Sequence, residues 1–583
     1  MEMLLRGARD VAQGELLDSG VTLPPMKAFM DDITTLVHTE EGTKALLQRL
    51  NDLFVRCRMR VKPKKSRSLS IVKGLVKEIH YTIGGDVIPT VKEEPVKSLG
   101  RWYKIPLTDR HCGTELQATT HDGLETIDKT DLPGKLKVWM FQHGLLPRLL
   151  WPLQVYEVTL TRVETIQRHI NKYLQKWLGL PPSFTTVGLY SKTAKVRLPI
   201  SSLEEEFKTG KVRLQMMMRD SPDPVIREAA PEVKSGDKWS AKPAIKEAEA
   251  SLKTKEIMGA VQTGRGGLGR IHHRWISQQD EKGTREMVIE EVRTLEEEKR
   301  QSKAASFAKQ CTWTHWEEAE QKQIKWPSLF TMEPLRISFI LRSTYDLLPT
   351  ASNLKLWGLT QDDTCSACGT HRATLEHVLS SCNSSLAKYT YRHNCVLRVV
   401  ADTTREQCEG INNLTIDIAP EETHTSFIRE GSEPKKTAKL ARAKLLEGTN
   451  DWNIITDLDE RMIFPTHIAT TNLRPDIIIW SDGKKCVHLV ELTVPWEGNL
   501  EVANERKRTK YEPLQDQCQR RGWECQVLPI EVGCRGFVAR STMSFLRGIG
   551  MNRAQQRKTI KALEDAAETA SSWIWQAARP MEG

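Results

Sequence analysis

Two acidic residues near the carboxyl end of the chain, Asp476 and Glu491, lie in neighbouring apolar segments that both predict β-strands. The segments cover residues 474–480 and 487–494, and the turn-forming residues between them predict a hairpin. If the turn is Gly483-Lys484, Asp476 lies directly opposite Glu491; if it begins one residue earlier, the two are offset by two residues on the same face. In either register, both carboxylates converge on one side of the hairpin.

A lysine-rich segment follows these two predicted strands. Residues 501–511 are helical in character, Gly522 is a plausible helix stop, and residues 523–532 predict a further strand. Lys507 and Lys510 are three positions apart, so they project from one face of this helix. The predicted order is therefore strand, strand, helix, strand.

These side chains could form a nuclease centre. Two carboxylates can hold Mg²⁺, whose preferred ligands are oxygens, and the ion activates water and offsets charge on a scissile phosphate. A nearby lysine can stabilise the negative charge that develops. The arrangement resembles the PD-(D/E)xK nuclease core, except that Thr493 stands two positions after Glu491, where that core has lysine. We therefore expect the lysine at Lys507 or Lys510; the alternative is an ordinary hairpin with surface charges.

A second cluster of potential ligands has the spacing of a structural zinc site. Cys365, Cys368, His377 and Cys382 are separated by two, eight and four residues. Three thiols and one imidazole without an open position suit tetrahedral Zn²⁺ in a structural role, with the close cysteine pair forming a knuckle and the other two ligands on a short helix. His371 is the second-choice histidine because its spacing is tighter. The alternative is free cysteines with an incidental histidine.

An acidic pair, Asp31 and Asp32, lies between apolar segments near the amino end. The pattern predicts a hairpin with both carboxylates at its tip, and it resembles the metal-binding hairpin of reverse transcriptases, in which adjacent aspartates hold catalytic Mg²⁺. A helical stretch at 42–56 and the residues 97–100 follow in the order of the later palm motifs. That family has another metal-binding aspartate well upstream, and only 28 residues precede Phe29, so we expect a truncated palm and no polymerase activity from this chain alone.

Basic residues outside these sites are candidates for contacts with nucleic acid. The segment around Lys62, Lys64 and Lys65 is rich in Lys and Arg and has no acidic residue, so these lysines could bind backbone phosphates; the alternative is a solvated face or loop. Arg392 and His393 follow the zinc segment closely. They could touch phosphate, or equally they could cap a helix or pack.

The composition limits the classes of function. A length of 583 residues suggests three or four domains, and a net charge of +10 favours a polyanionic partner. We find no secretory leader, so we interpret the scattered cysteines as reduced thiols, and no apolar run is long enough to span a membrane.

Residues 264–269 match a GxGxxG string, but a helical pattern precedes them instead of a strand. We therefore expect no membrane partner, no nucleotide cofactor and no small-molecule substrate.

The motifs and shifts in composition divide the chain into seven predicted segments of a multidomain α+β protein. In order, they are a truncated reverse transcriptase palm (1–110), a thumb-like helical region (111–220), a helical linker (221–345), a CCHC zinc-knuckle region (346–400), an exposed connection (401–450), an α/β PD-(D/E)xK-like endonuclease (451–540) and C-terminal helices (541–583).

The order of these features resembles the carboxyl-terminal part of the polyprotein of non-LTR retrotransposons that carry a restriction-like endonuclease. In that family, the endonuclease nicks target DNA, and the exposed 3′ hydroxyl primes reverse transcription of the element RNA. The resemblance therefore implies a DNA target and element RNA as partners, Mg²⁺ and structural Zn²⁺ as cofactors, and the nucleus as location, although we identify no targeting signal. Two other hypotheses are a zinc-containing nucleic-acid-binding protein whose catalysis has decayed and a non-functional copy of the element.

The resemblance also assigns roles by position. Asp476 and Glu491 would bind Mg²⁺, and Lys507 or Lys510 would stabilise charge. The four-residue cluster would be the structural zinc site, and the remaining polymerase carboxylates would be Asp31 and Asp32.

Overall fold

A computed structural model of the chain describes residues 2–109, 111–229, 231–266, 275, 280–413, 445–458 and 462–578. Its helices are α1 (Glu2–Ala8), α2 (Glu40–Arg56), α3 (Cys112–Asp128), α4 (Gly134–Met140), α5 (Leu146–Val155), α6 (Leu160–Trp177), α7 (Val187–Tyr190), α8 (Leu203–Arg219), α9 (Pro224–Ala229), α10 (Ala241–Gly266), α11 (Glu281–Ala305), α12 (Trp326–Thr331), α13 (Pro334–Thr344), α14 (Ala351–Leu356), α15 (Leu386–Asn412), α16 (Leu500–Arg520), α17 (Arg540–Gly548) and α18 (Arg553–Ala577). None of the described helices combines the length and the apolar composition that a bilayer span requires.

The strands are short outside one sheet. They are β1 (Met26–Phe29), β2 (Asp32–Thr35), β3 (Ser70–Val72), β4 (Leu75–Lys77), β5 (Tyr81–Ile83), β6 (Asp86–Ile88), β7 (Val96–Ser98), β8 (Arg101–Tyr103), β9 (Val196–Arg197), β10 (Lys322–Gln323), β11 (Trp452–Thr456), β12 (Ile477–Ser481), β13 (Cys486–Thr493) and β14 (Glu524–Glu531). This mixture of helices and small sheets is compatible with the predicted multidomain α+β class.

The chain divides into two compact units. The first consists of Met1–Leu132, Leu136–Leu174 and Ile200–Lys299, and the second of Pro133–Lys135, Gln175–Pro199 and Arg300–Gly583. The candidate zinc and nuclease residues all belong to the second unit, whereas Asp31 and Asp32 belong to the first.

In the first unit, four antiparallel hairpins precede a helical region. β1 pairs with β2, and α2 covers this hairpin with a buried apolar face. The helix predicted at 42–56 is thus confirmed, and its apolar residues recur every three or four positions, as an amphipathic helix requires. Further along the chain, α8, α10 and α11 bury a shared core whose members include Val212, Met216, Ala248, Leu252, Val288 and Val292.

The second unit contains a four-stranded sheet of order β11-β12-β13-β14. β12 is antiparallel to both β11 and β13, and β14 runs parallel to β13 after the connecting helix α16. Both faces of the sheet are covered, because one buried cluster joins it to α16 and another joins it to α15, α17 and α18. Coverage on both sides explains why β12 is almost continuously apolar and why β13 is buried along nearly its whole length.

The predicted order of strand, strand, helix, strand is confirmed for β12, β13, α16 and β14. The sheet also has an edge strand, β11, that we did not predict. The start of the segment 401–450, which we predicted to be an exposed connection, is instead helical, because α15 continues to Asn412. Its residues Ala401, Thr404 and Cys408 are buried. Residues 414–444 of that connection lie outside the described residues, as does the second half of the glycine string at 264–269.

Candidate functional site

Asp476 and Glu491 lie side by side at one end of the β12–β13 hairpin. Ile477 pairs with Val490, and this register continued by one residue places Asp476 opposite Glu491. Of the two registers that the sequence left open, the one with the turn at Gly483-Lys484 is therefore the one observed. The neighbouring side chains that share their face, such as Ile478 and Leu489, pack in the same cluster as α16, so both carboxylates face that helix.

The backbone holds the two carboxylates close together. The backbone N–H of Asp476 donates to Glu491 Oε2 at 3.3 Å, and the backbone N–H of Leu492 donates to Asp476 Oδ2 at 2.7 Å. Glu491 is only 3% exposed. Two acidic side chains in so little solvent need a cation, because an unpaired buried charge is costly.

The cations come from α16. Lys507 Nζ lies 2.5 Å from Glu491 Oε1, and Lys510 Nζ lies 3.4 Å from the same oxygen. The side chain of Lys507 is 19% exposed and that of Lys510 is 43% exposed. Both lysines that the sequence singled out therefore reach Glu491, and Lys507 is the nearer and the more deeply buried.

Tyr511 joins the elements of this site, and we did not single it out from the sequence. Its hydroxyl donates to the carbonyl of Arg474 at 2.8 Å and accepts from Lys510 Nζ at 3.0 Å. Burial, followed by the neighbouring Glu491 carboxylate, raises the pKa of Tyr511, so the phenol stays protonated. A tyrosine one turn beyond Lys507, on the same face as Leu514, was a signal that could have placed it in the site.

His393 lies beside Asp476, although the sequence suggested only a phosphate contact or a packing role. Its Nε2 is 3.5 Å from Asp476 Oδ2 and 3.3 Å from the carbonyl of Leu492. Burial lowers the pKa of His393, but its contact with the Asp476 carboxylate outweighs burial and leaves the pKa above its ordinary value. His393 can therefore hold Asp476 from α15 through a charge contact.

Arg392 is buried in the interior. Its guanidinium donates to the carbonyl of Leu379 at 2.8 Å, to Ser571 Oγ at 3.0 Å and to the carbonyl of Val494 at 3.3 Å. The structure thus places Arg392 in a packing role, which the sequence had left open beside phosphate contact. It connects the zinc segment, the sheet and α18.

The four predicted zinc ligands converge. Their ligand atoms all lie within 4.8 Å of one another, with Cys365 Sγ 3.9 Å from Cys382 Sγ and Cys368 Sγ 3.2 Å from His377 Nε2. Tetrahedral Zn²⁺ with its usual bond lengths separates such atoms by about 3.5–3.8 Å, so the cluster fits the ion closely. These residues bring three sulfurs and one nitrogen together, and no other described residue joins the group as a fifth ligand. Four such ligands are the composition of a structural site.

Local contacts shape the zinc segment. His377 begins a π-helical turn, His377–Ser381, and Cys382 follows it directly. The hydroxyl of Tyr389 donates to the carbonyl of Val378 at 2.8 Å and accepts from the backbone N–H of Cys382 at 3.1 Å, which fixes this turn. Contacts with Thr370 lower the pKa of Cys368 to about 6, which favours the thiolate form that binds metals.

His371, the second-choice histidine, is not part of the cluster. Its side chain is 83% exposed, and its Nδ1 lies 3.9 Å from Asp363 Oδ1.

The candidate residues of the first unit are all at the surface. Asp31 and Asp32 lie at the tip of the β1–β2 hairpin, where Phe29 pairs with Asp32 and both carboxylates are exposed. In the described part of the chain, neither belongs to a group of three potential metal ligands. The side chains of three further candidates are exposed around a short 3-10 turn, namely Lys62, Lys64 and Lys65.

The class of protein is indicated by the zinc segment. The family described as "zinc-binding in reverse transcriptase" matches residues 307–388, a range that contains all four ligands of the cluster. The match begins upstream of residue 346, where we predicted the zinc region to start. Zn²⁺ at this site is therefore supported both by the family and by the geometry.

Part of the chain is also similar to a retrotransposon polyprotein. The chain is 22% identical over 193 residues to the "Retrovirus-related Pol polyprotein from type-1 retrotransposable element R2" of Bradysia coprophila. The aligned part is 33% of this chain and 22% of the relative, so the chain spans less than a quarter of the length of the relative that it matches. Together, the two likenesses support a retrotransposon-derived protein related to reverse transcriptases.

Proposed function

We propose that the second unit of this retrotransposon-derived chain is a Mg²⁺-dependent endonuclease that nicks a DNA target. The observation that carries the proposal is the convergence of Asp476, Glu491 and Lys507 on one face of a sheet covered by α16. Two acids and one amine at a single point are the minimal set for metal-assisted cleavage of a phosphodiester.

The donor set suits a small, hard cation. Asp476 and Glu491 offer carboxylate oxygens, which Mg²⁺ prefers, and one of the two Asp476 oxygens is already oriented by the Leu492 N–H. Both oxygens of Glu491 are committed to Asp476 N–H and to the lysines, so the buried carboxylate is held in one orientation. Mg²⁺ bound there would supply an activated water and offset the charge of the phosphate.

The remaining residues of the site would neutralise charge on the phosphate or position the other side chains. The ammonium of Lys507 lies where it can stabilise negative charge on a phosphate oxygen next to Glu491. His393 would hold Asp476 from α15, and Tyr511 would hold the backbone at Arg474 and the side chain of Lys510 from α16.

Plasmid nicking tests the proposal. The purified, zinc-loaded chain is incubated with supercoiled plasmid, and the expected result is accumulation of nicked circles with Mg²⁺ and none when Mg²⁺ is omitted. Absence of nicking above background with either Mg²⁺ or Mn²⁺ would leave a nucleic-acid-binding protein without catalysis.

The two lysines are expected to contribute unequally. Lys507→Ala should lower the nicking rate about 10²-fold, as removal of one charge-stabilising donor does in other enzymes. Lys510→Ala should lower it about tenfold or less, because the amine of Lys510 is farther from Glu491 and more exposed. Single-turnover rates of the two variants measure the difference, and a larger loss for Lys510→Ala would reverse the assignment.

Tyr511→Phe tests the positioning role of the phenol. The change keeps the buried ring but removes the hydrogen bonds to Arg474 and Lys510, so the nicking rate should fall about tenfold, while the stability should fall by only about 1–3 kcal/mol. Tyr103→Phe, the same change at an exposed tyrosine of the first unit, is the matched control. Equal rates for Tyr511→Phe and the wild type would exclude this role.

Three expectations from the resemblance extend the proposal. Element RNA would be a second partner, the protein would act in the nucleus, and the hairpin of Asp31 and Asp32 would not extend a primer on an RNA template by itself. Primer extension by the purified chain tests the last of these directly.

A further inference from the structure

Two exposed aromatic residues lie together on α15 and α18, and neither is among the residues assigned above to metal binding. Tyr391 is 56% exposed and Trp573 is 49% exposed. Their ring centroids are 5.8 Å apart with an interplanar angle of 61°. Large aromatic side chains in the open favour a partner that covers them, because each ring contributes a large apolar area.

Positive charges flank this pair. Lys388 Nζ lies 6.0 Å above the ring of Trp573. Arg398 is exposed about two helical turns after Tyr391, on the same side of α15. Neither Lys388 nor Arg398 makes an ion pair with any residue that the structure describes, so both cations are available to an anion.

The support beneath the pair is rigid. Lys388, Tyr391 and Arg398 recur at helical spacing along one face of α15. Below them, Arg392 donates to Ser571 Oγ at 3.0 Å, and Ile574 and Trp575 are buried next to Trp573. Buried contacts therefore hold together the two helices that carry the rings.

We propose that Tyr391 and Trp573 form a stacking platform for the bases of a single-stranded nucleic acid, with Lys388 and Arg398 as partners of its phosphates. Aromatic faces accept bases of any sequence, and the cations follow the backbone. In a duplex, the faces of the bases are already stacked on one another, so only unpaired nucleotides can use such a platform. A site of this kind would hold one strand on the second unit whether or not that unit cleaves DNA.

Fluorescence anisotropy with three labelled probes tests this platform. The probes are an oligo(dT) of about 15 nucleotides, an abasic strand of the same length and a duplex of that length. Binding is measured on the full chain carrying Asp476→Ala, without Mg²⁺, so that the result does not depend on whether the chain cuts DNA. We expect oligo(dT) to bind more tightly than the abasic strand.

The variants separate stacking from charge. Trp573→Ala and Tyr391→Ala should each weaken oligo(dT) binding about tenfold and leave the abasic strand unaffected, and Trp573→Phe should restore most of the affinity. Lys388→Ala should weaken both single strands equally and lower the slope of log affinity against log salt by about 0.7. Trp151→Ala is the control. It removes a tryptophan of the first unit that is 53% exposed, and it should leave the affinity for all three probes unchanged.

Several results would overturn the proposal. One is an unchanged affinity for oligo(dT) in both Trp573→Ala and Tyr391→Ala. Another is a loss of affinity in these variants that is equally large for the abasic strand or the duplex. A third is a loss of oligo(dT) affinity in Trp151→Ala as large as in Trp573→Ala. Bound zinc, measured for each variant, confirms that the second unit has retained its fold.

Discussion

Asp476→Asn is expected to lower the rate of plasmid nicking by about 10³-fold or more. The substitution keeps the shape of the side chain and an oxygen that can accept the Leu492 N–H, but it removes the negative charge that a divalent ion requires. Loss of several kcal/mol of metal-derived stabilisation corresponds to a rate decrease of that size. The measurement is the single-turnover rate of nicked-circle formation with saturating Mg²⁺.

Asp482→Asn is the matched control. Asp482 lies in the loop of the same hairpin, its side chain is 51% exposed, and it is part of neither the acidic pair nor the zinc cluster. Its nicking rate should equal that of the wild type. If Asp476→Asn and Asp482→Asn nick at the same rate as the wild type, the cleavage comes from elsewhere and the proposed centre is wrong.

Cys382→Ser is expected to remove the zinc ion and to destabilise the second unit. Cys382 is buried, and the turn before it places Leu375, Val378 and Leu379 in a core with Ile574 and Trp575 of α18. Zinc binding and folding are coupled in small metal sites, where the ion contributes on the order of 10 kcal/mol. We expect bound zinc to fall from about one ion per chain to none, and the melting temperature to fall by on the order of 10 °C.

Cys57→Ser provides the comparison for this prediction. Cys57 is an exposed, free thiol of the first unit, so the same chemical change should affect neither bound zinc nor melting temperature. Full zinc occupancy in Cys382→Ser would show that the cluster is not the metal site. Loss of zinc without any change in melting temperature would show that the ion does not stabilise the fold.

The most predictable part of the second unit was the hairpin with its following helix. A strand covered on both faces is apolar throughout, and a helix face is marked by its spacing, so both could be recognised from residues close together in sequence. The zinc cluster was predictable for the same reason, since its four ligands lie within a short segment. The register of Asp476 against Glu491 remained open until the pairing of Ile477 with Val490 was known.

What could not be predicted depends on contacts between distant segments. His393 lies on α15, far along the chain from Asp476, and the residues next to it in sequence do not predict a carboxylate partner. Arg392 looks like a phosphate ligand in sequence, but the carbonyls of Leu379 and Val494 bind it in the interior. Such roles are set by how α15 packs on the sheet and α18, which local periodicity does not determine.

A buried ion pair between Arg535 and Glu497 joins the segments that follow β14 and β13. Arg535 donates to Glu497 Oε2 at 2.6 Å through Nε and to the carbonyl of Ser343 at 3.0 Å, and its guanidinium stacks on Trp316 and Trp496. These contacts lie within the second unit and connect α13 to the loop after β13.

The central claim is that Asp476 and Glu491 hold one divalent ion beside Lys507. The most direct test is an anomalous difference map from crystals of the chain soaked in Mn²⁺, recorded where manganese scatters anomalously. We expect one anomalous peak within bonding distance of both carboxylates, and we expect it to be absent from crystals of Asp476→Asn. No peak between the two side chains at saturating Mn²⁺, in crystals that still show zinc at Cys365 and Cys382, would contradict it.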